Sequence, residues 1–222
     1  MTILSKNDQR GLSMVEMLGV LAIIGVLSVG GISGYSKAMA KFKLTKAQDQ
    51  MSMILMNIRT AFATSASYNG LNNGTAISFG IAPNEMYNAS PSAVTSTTRI
   101  NNAFGGPTYV FSCDAPLGGY NCGTAGTGGT TNYDSTAASQ FFAIALENLG
   151  REACISLASS DWGTDGLIGV YVEKESGGGT GQMVPTSLLP ILPMGTNQQG
   201  APAAGTLCGN FGETSKIMWV YY

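Results

Sequence analysis

A run of twenty residues without a charge constrains this chain more than any other feature. Residues 17–36 read MLGVLAIIGVLSVGGISGYS, and a helix of this length can cross a lipid bilayer. A carboxylate, Glu16, comes directly before the run, in the stretch RGLSMVE (10–16). A carboxylate in a membrane-spanning helix costs up to roughly 3 kcal/mol at mid-bilayer, and less near the interface. We therefore expect Glu16 to have a function and a partner of opposite charge.

Two simpler interpretations of this segment are open. In a secretory signal peptide, Lys6 and Arg10 would form the basic region and residues 38–40 (AMA) the cleavage site. The length of the apolar run and the carboxylate beside it argue against that reading. In an ordinary single-pass anchor, the cost of Glu16 would have no compensation.

The composition excludes several kinds of chemistry. The chain has no histidine, which removes Ser-His-Asp triads and most zinc sites. Its formal net charge is −2 and only 11% of its residues are charged, so no nucleic-acid partner is expected. Asp161 and Asp165 provide too few ligands for calcium and predict a turn instead. We find no catalytic constellation, and the sequence predicts neither an enzyme nor a cofactor.

The four cysteines favour disulfide bonds over metal binding. None of them lies in a CxxC pair, and an even number in an exported chain predicts two disulfides. Cys113 and Cys122 are near enough in sequence to close a small loop. Spacing alone does not choose among the three possible pairings.

A single long helix is predicted to continue beyond the apolar run. No proline interrupts residues 12–66, which would give a helix of roughly 80 Å. Its second half carries one apolar stripe, formed by Met51, Ile54, Leu55, Ile58 and Phe62. We expect this half to pack on a globular domain and the first half to protrude. Gly30, Gly31 and Gly34 predict either close helix packing or local stretching.

The rest of the sequence predicts an antiparallel sheet. Residues 63–136 read as a long, loop-rich connection with one strand, and a short helix is expected within GREACISLASSDWG (150–163). The prolines of SLLPILP (187–193) predict a sheet edge or a packed loop. Strand patterns occur at TYVFS (108–112), FFAIAL (141–146), LIGVYVE (167–173) and KIMWVYY (216–222). Together with the long helix, they predict an α+β roll.

The stretch RGLSMVE resembles the processing site of type IV prepilins. The resemblance implies that an inner-membrane prepilin peptidase cuts between Gly11 and Leu12 and methylates the new N-terminus. Glu16 is then the fifth residue of the mature chain, as in that family, whereas many pilins carry Phe where this chain has Leu12. Cleavage exposes an amine with a pKa of about 8, and we expect Glu16 of a neighbouring, staggered subunit to neutralise it.

The C-terminal half resembles the type IVb pilins more loosely. The shared features are an alternating strand, then a helix with a cysteine and DWG, and a late cysteine before an aromatic final strand. The resemblance implies a Cys154–Cys208 bridge, which leaves Cys113–Cys122 as an additional local bridge. It also implies a pilin-type fold in four parts: a leader (1–11), an apolar membrane or filament-core helix (12–36), its amphipathic continuation (37–66) and a globular domain (67–222).

The implied function is structural. The chain would stay in the inner membrane with its C-terminal domain in the periplasm, and then polymerise with copies of itself into an extracellular type IV pilus for adhesion or aggregation. Its implied partners are the prepilin peptidase, the inner-membrane assembly machinery and the membrane. Counting basic residues opposes this orientation, because more of them follow the apolar run than precede it: Lys37, Lys41, Lys43 and Lys46 against Lys6 and Arg10.

Three other functions are open at this stage. A type II secretion pseudopilin shares the N-terminal signature, although two disulfides and a large C-terminal domain favour a pilus. A minor pilin at the filament tip would act as an adhesin. An enzyme or receptor on an ordinary anchor predicts no cleavage after Gly11.

Overall fold

The computed structural model describes residues 14–88, 94–95, 98–113, 124–125, 131–132, 140–162, 166–175, 189–190, 205, 208–209 and 213–222. The chain divides into two compact units, Met1–Phe42 and Lys43–Tyr222. Helix α1 (Met14–Ala61) contributes to both units.

Helix α1 is one uninterrupted helix of 48 residues. It ends at Ala61, whereas the sequence predicted a helix up to residue 66. The amide of Phe62 still donates to the carbonyl of Ile58, at 2.9 Å, but the amide of Ser65 turns back to the carbonyl of Phe62. Ser and Thr side chains favour such turns over further helix, and the chain leaves the helix there.

The second unit contains a six-stranded antiparallel sheet. Its strand order is β1-β2-β5-β8-β6-β7. The strands are β1 (Ile100–Asn101), β2 (Pro107–Cys113), β5 (Phe141–Gly150), β6 (Leu167–Glu175), β7 (Leu189–Pro190) and β8 (Thr214–Tyr221). A separate two-stranded antiparallel sheet is formed by β3 (Thr124–Ala125) and β4 (Thr131–Asn132). The four predicted strands are all present, and the proline-containing β7 lies at the sheet edge, as expected.

The region between the long helix and the sheet is more ordered than the sequence predicted. It contains helix α2 (Asn73–Ser78) and a short 3-10 turn (Asn84–Met86). The side chain of Asn72 accepts from the amide of Thr75 at 3.0 Å, and the hydroxyl of Thr75 accepts from the amide of Asn72 at 2.8 Å. This reciprocal cap satisfies amides that have no partner within so short a helix.

The side chain of Asn73 fastens α2 to the sheet. It accepts from the amide of Val110 at 2.9 Å and donates to the carbonyl of Thr108 at 3.1 Å. One amide side chain thus takes the place of a neighbouring strand beside β2, and buried backbone groups of that strand are paired.

The core lies between α1 and one face of the sheet. Ile217, Trp219 and Tyr221 alternate along β8 and belong to the same buried cluster as Met51 and Ile54 of α1. Alternate residues of β8, Met218 and Val220, belong to a second buried cluster with Phe111 and Ala143. The predicted α+β class is confirmed, with the second half of the long helix packed on an antiparallel sheet.

Candidate functional site

The first part of α1 is an apolar surface that no other part of the described chain covers. Within Met14–Ala61, the most hydrophobic window of 18 residues has a mean hydropathy of 2.2 and no buried residue. By length and composition this helix can cross a membrane. The large exposed side chains are Met14, Val15, Met17, Leu18, Val20, Leu21, Ile23, Ile24, Val26, Leu27, Val29, Ile32 and Tyr35. A helix that is apolar on all sides requires lipid or other protein around it.

Glu16 lies in the first turn of α1, at the beginning of this apolar surface. Its side chain is exposed. A carboxylate in the first turn interacts favourably with the positive end of the helix dipole, so Glu16 is compatible with its position in α1. Gly11 and Leu12, on either side of the predicted cut, lie outside the described residues.

Within the part of the chain that the structure describes, the glycines of the apolar surface pack against no other segment. Apart from its sequence neighbours and the adjacent backbone of its own helix, a Cβ atom built at Gly19, Gly25, Gly30, Gly31 or Gly34 would meet no atom of the described chain within 4 Å. Each glycine costs about 1 kcal/mol of helix stability relative to alanine. Contacts within the described chain do not require that loss, whereas close approach of another helix would use the missing side chains.

The second half of α1 is attached to the 3-10 turn by polar contacts. Lys46 Nζ lies 3.3 Å from Glu85 Oε1, and the side-chain Nε2 of Gln50 donates to the same oxygen at 2.8 Å. The hydrogen bond from Gln50, and then that from Lys46, lower the pKa of Glu85. This cluster was not predicted, because nothing in the loop sequence indicates which loop carboxylate contacts the helix.

We expect this cluster to weaken in acid. Because the folded-state pKa of Glu85 is lowered, its ionised form stabilises the fold above the pKa of the unfolded chain, and the contribution disappears as the pH falls through the folded-state pKa. The variant Glu85→Gln should lose less stability than the wild type between about pH 6 and pH 3. Urea unfolding of the full-length chain in detergent micelles measures the difference, which should be small because the site is exposed.

Glu152→Gln, on the exposed surface of helix α3 (Arg151–Ala158), is the matched control. An equal acid response of the wild type and Glu85→Gln would contradict the assignment.

A disulfide fastens the segment before β8 to α3. Cys154 and Cys208 are bonded, with their Cα atoms 5.8 Å apart, and both are fully buried. This pairing, which the resemblance implied, is confirmed. Cys113, at the end of β2, is buried and disulfide-bonded, but its predicted partner Cys122 lies outside the described residues.

Arg151 reinforces the same connection. Its guanidinium donates to the carbonyl oxygens of Gly205 at 2.7 Å, Cys208 at 3.1 Å and Gly209 at 2.8 Å. A planar group with five donors is suited to hold several carbonyls at once. This role was not predicted, and the only signal for it in the sequence was an arginine one helical turn before a cysteine.

Charged residues elsewhere in the described chain form a buried ion pair but no metal-binding group. In the part of the chain that the structure describes, His, Cys, Asp and Glu do not form a group of three that could hold a metal ion. Asp161 is exposed and Asp165 lies outside the described residues. Glu147 of β5 and Lys216 of β8 form a buried ion pair, with Oε1 and Nζ 3.4 Å apart, which the sequence analysis also missed. These groups are compatible with a structural role.

Known proteins are similar both to the N-terminal segment of this chain and to the chain as a whole. Residues 6–32 match the family described as the prokaryotic N-terminal methylation motif. The chain is also similar to the major structural subunit of the bundle-forming pilus of Escherichia coli O111:H-, with 24% identity over 224 residues that cover 98% of this chain and 96% of that protein. The resemblance to the type IV prepilins is confirmed. The same subunit from Escherichia coli O127:H6 (strain E2348/69 / EPEC) is also 24% identical to this prepilin-like chain. That similarity covers 98% of this chain and 96% of the Escherichia coli protein.

Solved pilin structures also resemble the prepilin-like chain. The type IVb pilin from Salmonella typhi superposes with a TM-score of 0.45 at 14% identity, covering 80% of this chain and 97% of that one. The type IV pilin TcpA from the Vibrio cholerae El Tor biotype superposes with a TM-score of 0.43 at 14% identity, covering 81% of this chain and 99% of that one.

Proposed function

We propose that this chain is a structural subunit that is processed after Gly11 and polymerises into a filament of the type IV pilus kind. The observation that carries the proposal is the exposed apolar helix with Glu16 in its first turn, within the stretch that matches the N-terminal methylation motif. Similarity over the full length to the major subunit of the bundle-forming pilus supports the same function.

Cleavage after Gly11 creates the charged group on which assembly depends. Cleavage between Gly11 and Leu12 exposes an α-amine that is mostly cationic at neutral pH, and methylation leaves it able to carry its charge. Inside an apolar helical bundle this cation is costly unless it is paired. Glu16 of a neighbouring subunit, one helical turn along the staggered helix, supplies the carboxylate that neutralises it.

Before assembly, the apolar helix holds the subunit in the inner membrane. The second unit contains the Cys154–Cys208 disulfide, and disulfides form in oxidising compartments. We therefore place this unit on the periplasmic side, with the cut facing the cytoplasm. After assembly, the same helix exchanges lipid contacts for contacts with other subunits in an extracellular filament.

The proposal names three partners besides the membrane. A prepilin peptidase cuts and methylates the chain, inner-membrane assembly machinery extracts it, and further copies of the chain surround its apolar helix. Contact with further copies would account for glycines at helix positions where the described part of the chain leaves open space.

The variant Gly11→Lys should keep its leader and form no filaments. A glycine beside the scissile bond leaves the backbone accessible, whereas a long side chain blocks it. Mass spectrometry of the wild-type subunit should find a methylated Leu12 at the mature N-terminus and, in the variant, an intact leader.

Leu12→Phe is the matched control on the other side of the same bond. Because many pilins carry Phe at this position, the peptidase should process it normally. An unprocessed wild-type chain in cells that contain the peptidase would contradict the proposed function.

A further inference from the structure

Two lysines follow directly after the apolar segment. Lys37 and Lys41 are exposed on α1 and, four residues apart, they share one face of the helix. The sequence contains no Asp or Glu between Glu16 and Asp49. No helix position one turn from either lysine therefore carries an acid that could neutralise it.

Their distance from the start of the apolar surface matches the thickness of a bilayer. Residues 14–36 span about 34 Å as a helix, and the hydrocarbon core of a typical bilayer is about 30 Å thick. Tyr35 is 67% exposed at the end of this segment, where tyrosines sit at the level of the lipid headgroups. In a membrane-inserted subunit, Lys37 therefore reaches the headgroup layer, and Lys41 lies one turn farther out.

We infer that Lys37 and Lys41 bind the phosphate groups of anionic phospholipids on the side of the membrane that faces the exported unit. This inference rests on the proposed membrane stage. Lysine ammonium groups attract anionic headgroups within a Debye length of the surface. A second copy of the chain could also supply anions, but the lipid is favoured because the lysines continue a segment whose length and terminal tyrosine fit a bilayer.

Lipid binding also accounts for the position of Lys37 and Lys41. On the exported side of a membrane, basic residues are usually depleted. Before translocation they oppose export of the C-terminal unit. After translocation the same charges hold anionic headgroups and resist return of the unit. The lipid contact would then keep the subunit at a fixed depth until assembly.

Lipid selectivity of the full-length chain tests the inference. The chain is reconstituted into phosphatidylcholine vesicles with trace spin-labelled phosphatidylglycerol or, separately, spin-labelled phosphatidylcholine. Electron paramagnetic resonance then gives the fraction of each label that the protein immobilises. We expect at least about a threefold preference for phosphatidylglycerol at low salt, lost in the double variant Lys37→Gln/Lys41→Gln and in about 1 M salt. Arg99→Gln, which removes an exposed cation from the second unit, should keep the preference.

Two results would overturn the inference. One is equal immobilisation of both labels by the wild type. The other is a double variant that keeps the wild-type preference, or that loses only self-association, which would assign the lysines to contacts between copies. Flotation separates these outcomes from failure of the proposed function, because a chain that does not float with the vesicles has no membrane stage.

Discussion

Cells that express only Glu16→Ala should insert, process and fold the subunit but assemble no surface filaments. The amine exposed at Leu12 would enter an apolar helical bundle without a carboxylate to pair with it. Leaving a buried charge without its partner costs roughly 3–5 kcal/mol, which is a factor of roughly one hundred to several thousand for each docking step. Insertion should be unimpaired, because the change removes a charge from a membrane segment.

The assembly defect is measured by shearing filaments from cells and quantifying the subunit in the sheared and membrane fractions. Glu16→Gln should fail almost as badly, because it keeps the shape but not the charge. Glu152→Ala, which removes an exposed glutamate from α3, is the control and should assemble normally. In mixed expression, Glu16→Ala subunits should enter wild-type filaments poorly. Normal assembly of Glu16→Ala would contradict the proposed pairing with the amine. Glu16 would then be only an interfacial residue of a membrane anchor.

Loss of the Cys154–Cys208 disulfide should destabilise the second unit by roughly 2–5 kcal/mol, because the bond closes a loop with a sequence separation of 54 residues. Both sulfurs are fully buried, so serine at either position also places a hydroxyl in an apolar site. The segment that Arg151 holds through three carbonyls would then depend on hydrogen bonds alone.

Cys154→Ser and Cys208→Ser should have closely similar effects, because each breaks the same bond. Urea unfolding of the full-length chain in micelles compares them, with the double variant as the control for the thiol that each single variant leaves. Cys113→Ser and Cys122→Ser should form a second, milder pair. Clearly different effects of Cys154→Ser and Cys208→Ser would show that the cost comes from the local environment of one residue.

The elements with strong sequence patterns were predictable. The uncharged run and the proline-free stretch after it predicted a single long helix. Helix α1 includes the whole run and continues through the following stretch to Ala61. Period-two alternation predicted β5, and the buried side chains of β8 alternate between the two faces of its strand. These predictions succeed because hydrophobic periodicity directly reflects which face of an element is covered.

The contacts between residues that are distant in sequence were not predictable. Asn73 lies in a polar, glycine-containing stretch, and its bonds to β2 exist only because α2 places it beside a sheet edge. The Lys46–Glu85 and Glu147–Lys216 pairs join residues that are distant in sequence. A charge pattern in one segment carries no information about its partner in another.

The most direct test of the central claim is immunogold electron microscopy of whole cells with an antibody against the second unit. If the chain is the structural subunit of a filament, gold particles should decorate surface filaments along their whole length, and deletion of the chain should remove those filaments. Gold confined to the cell envelope, with unlabelled filaments that persist in the deletion strain, would contradict the account.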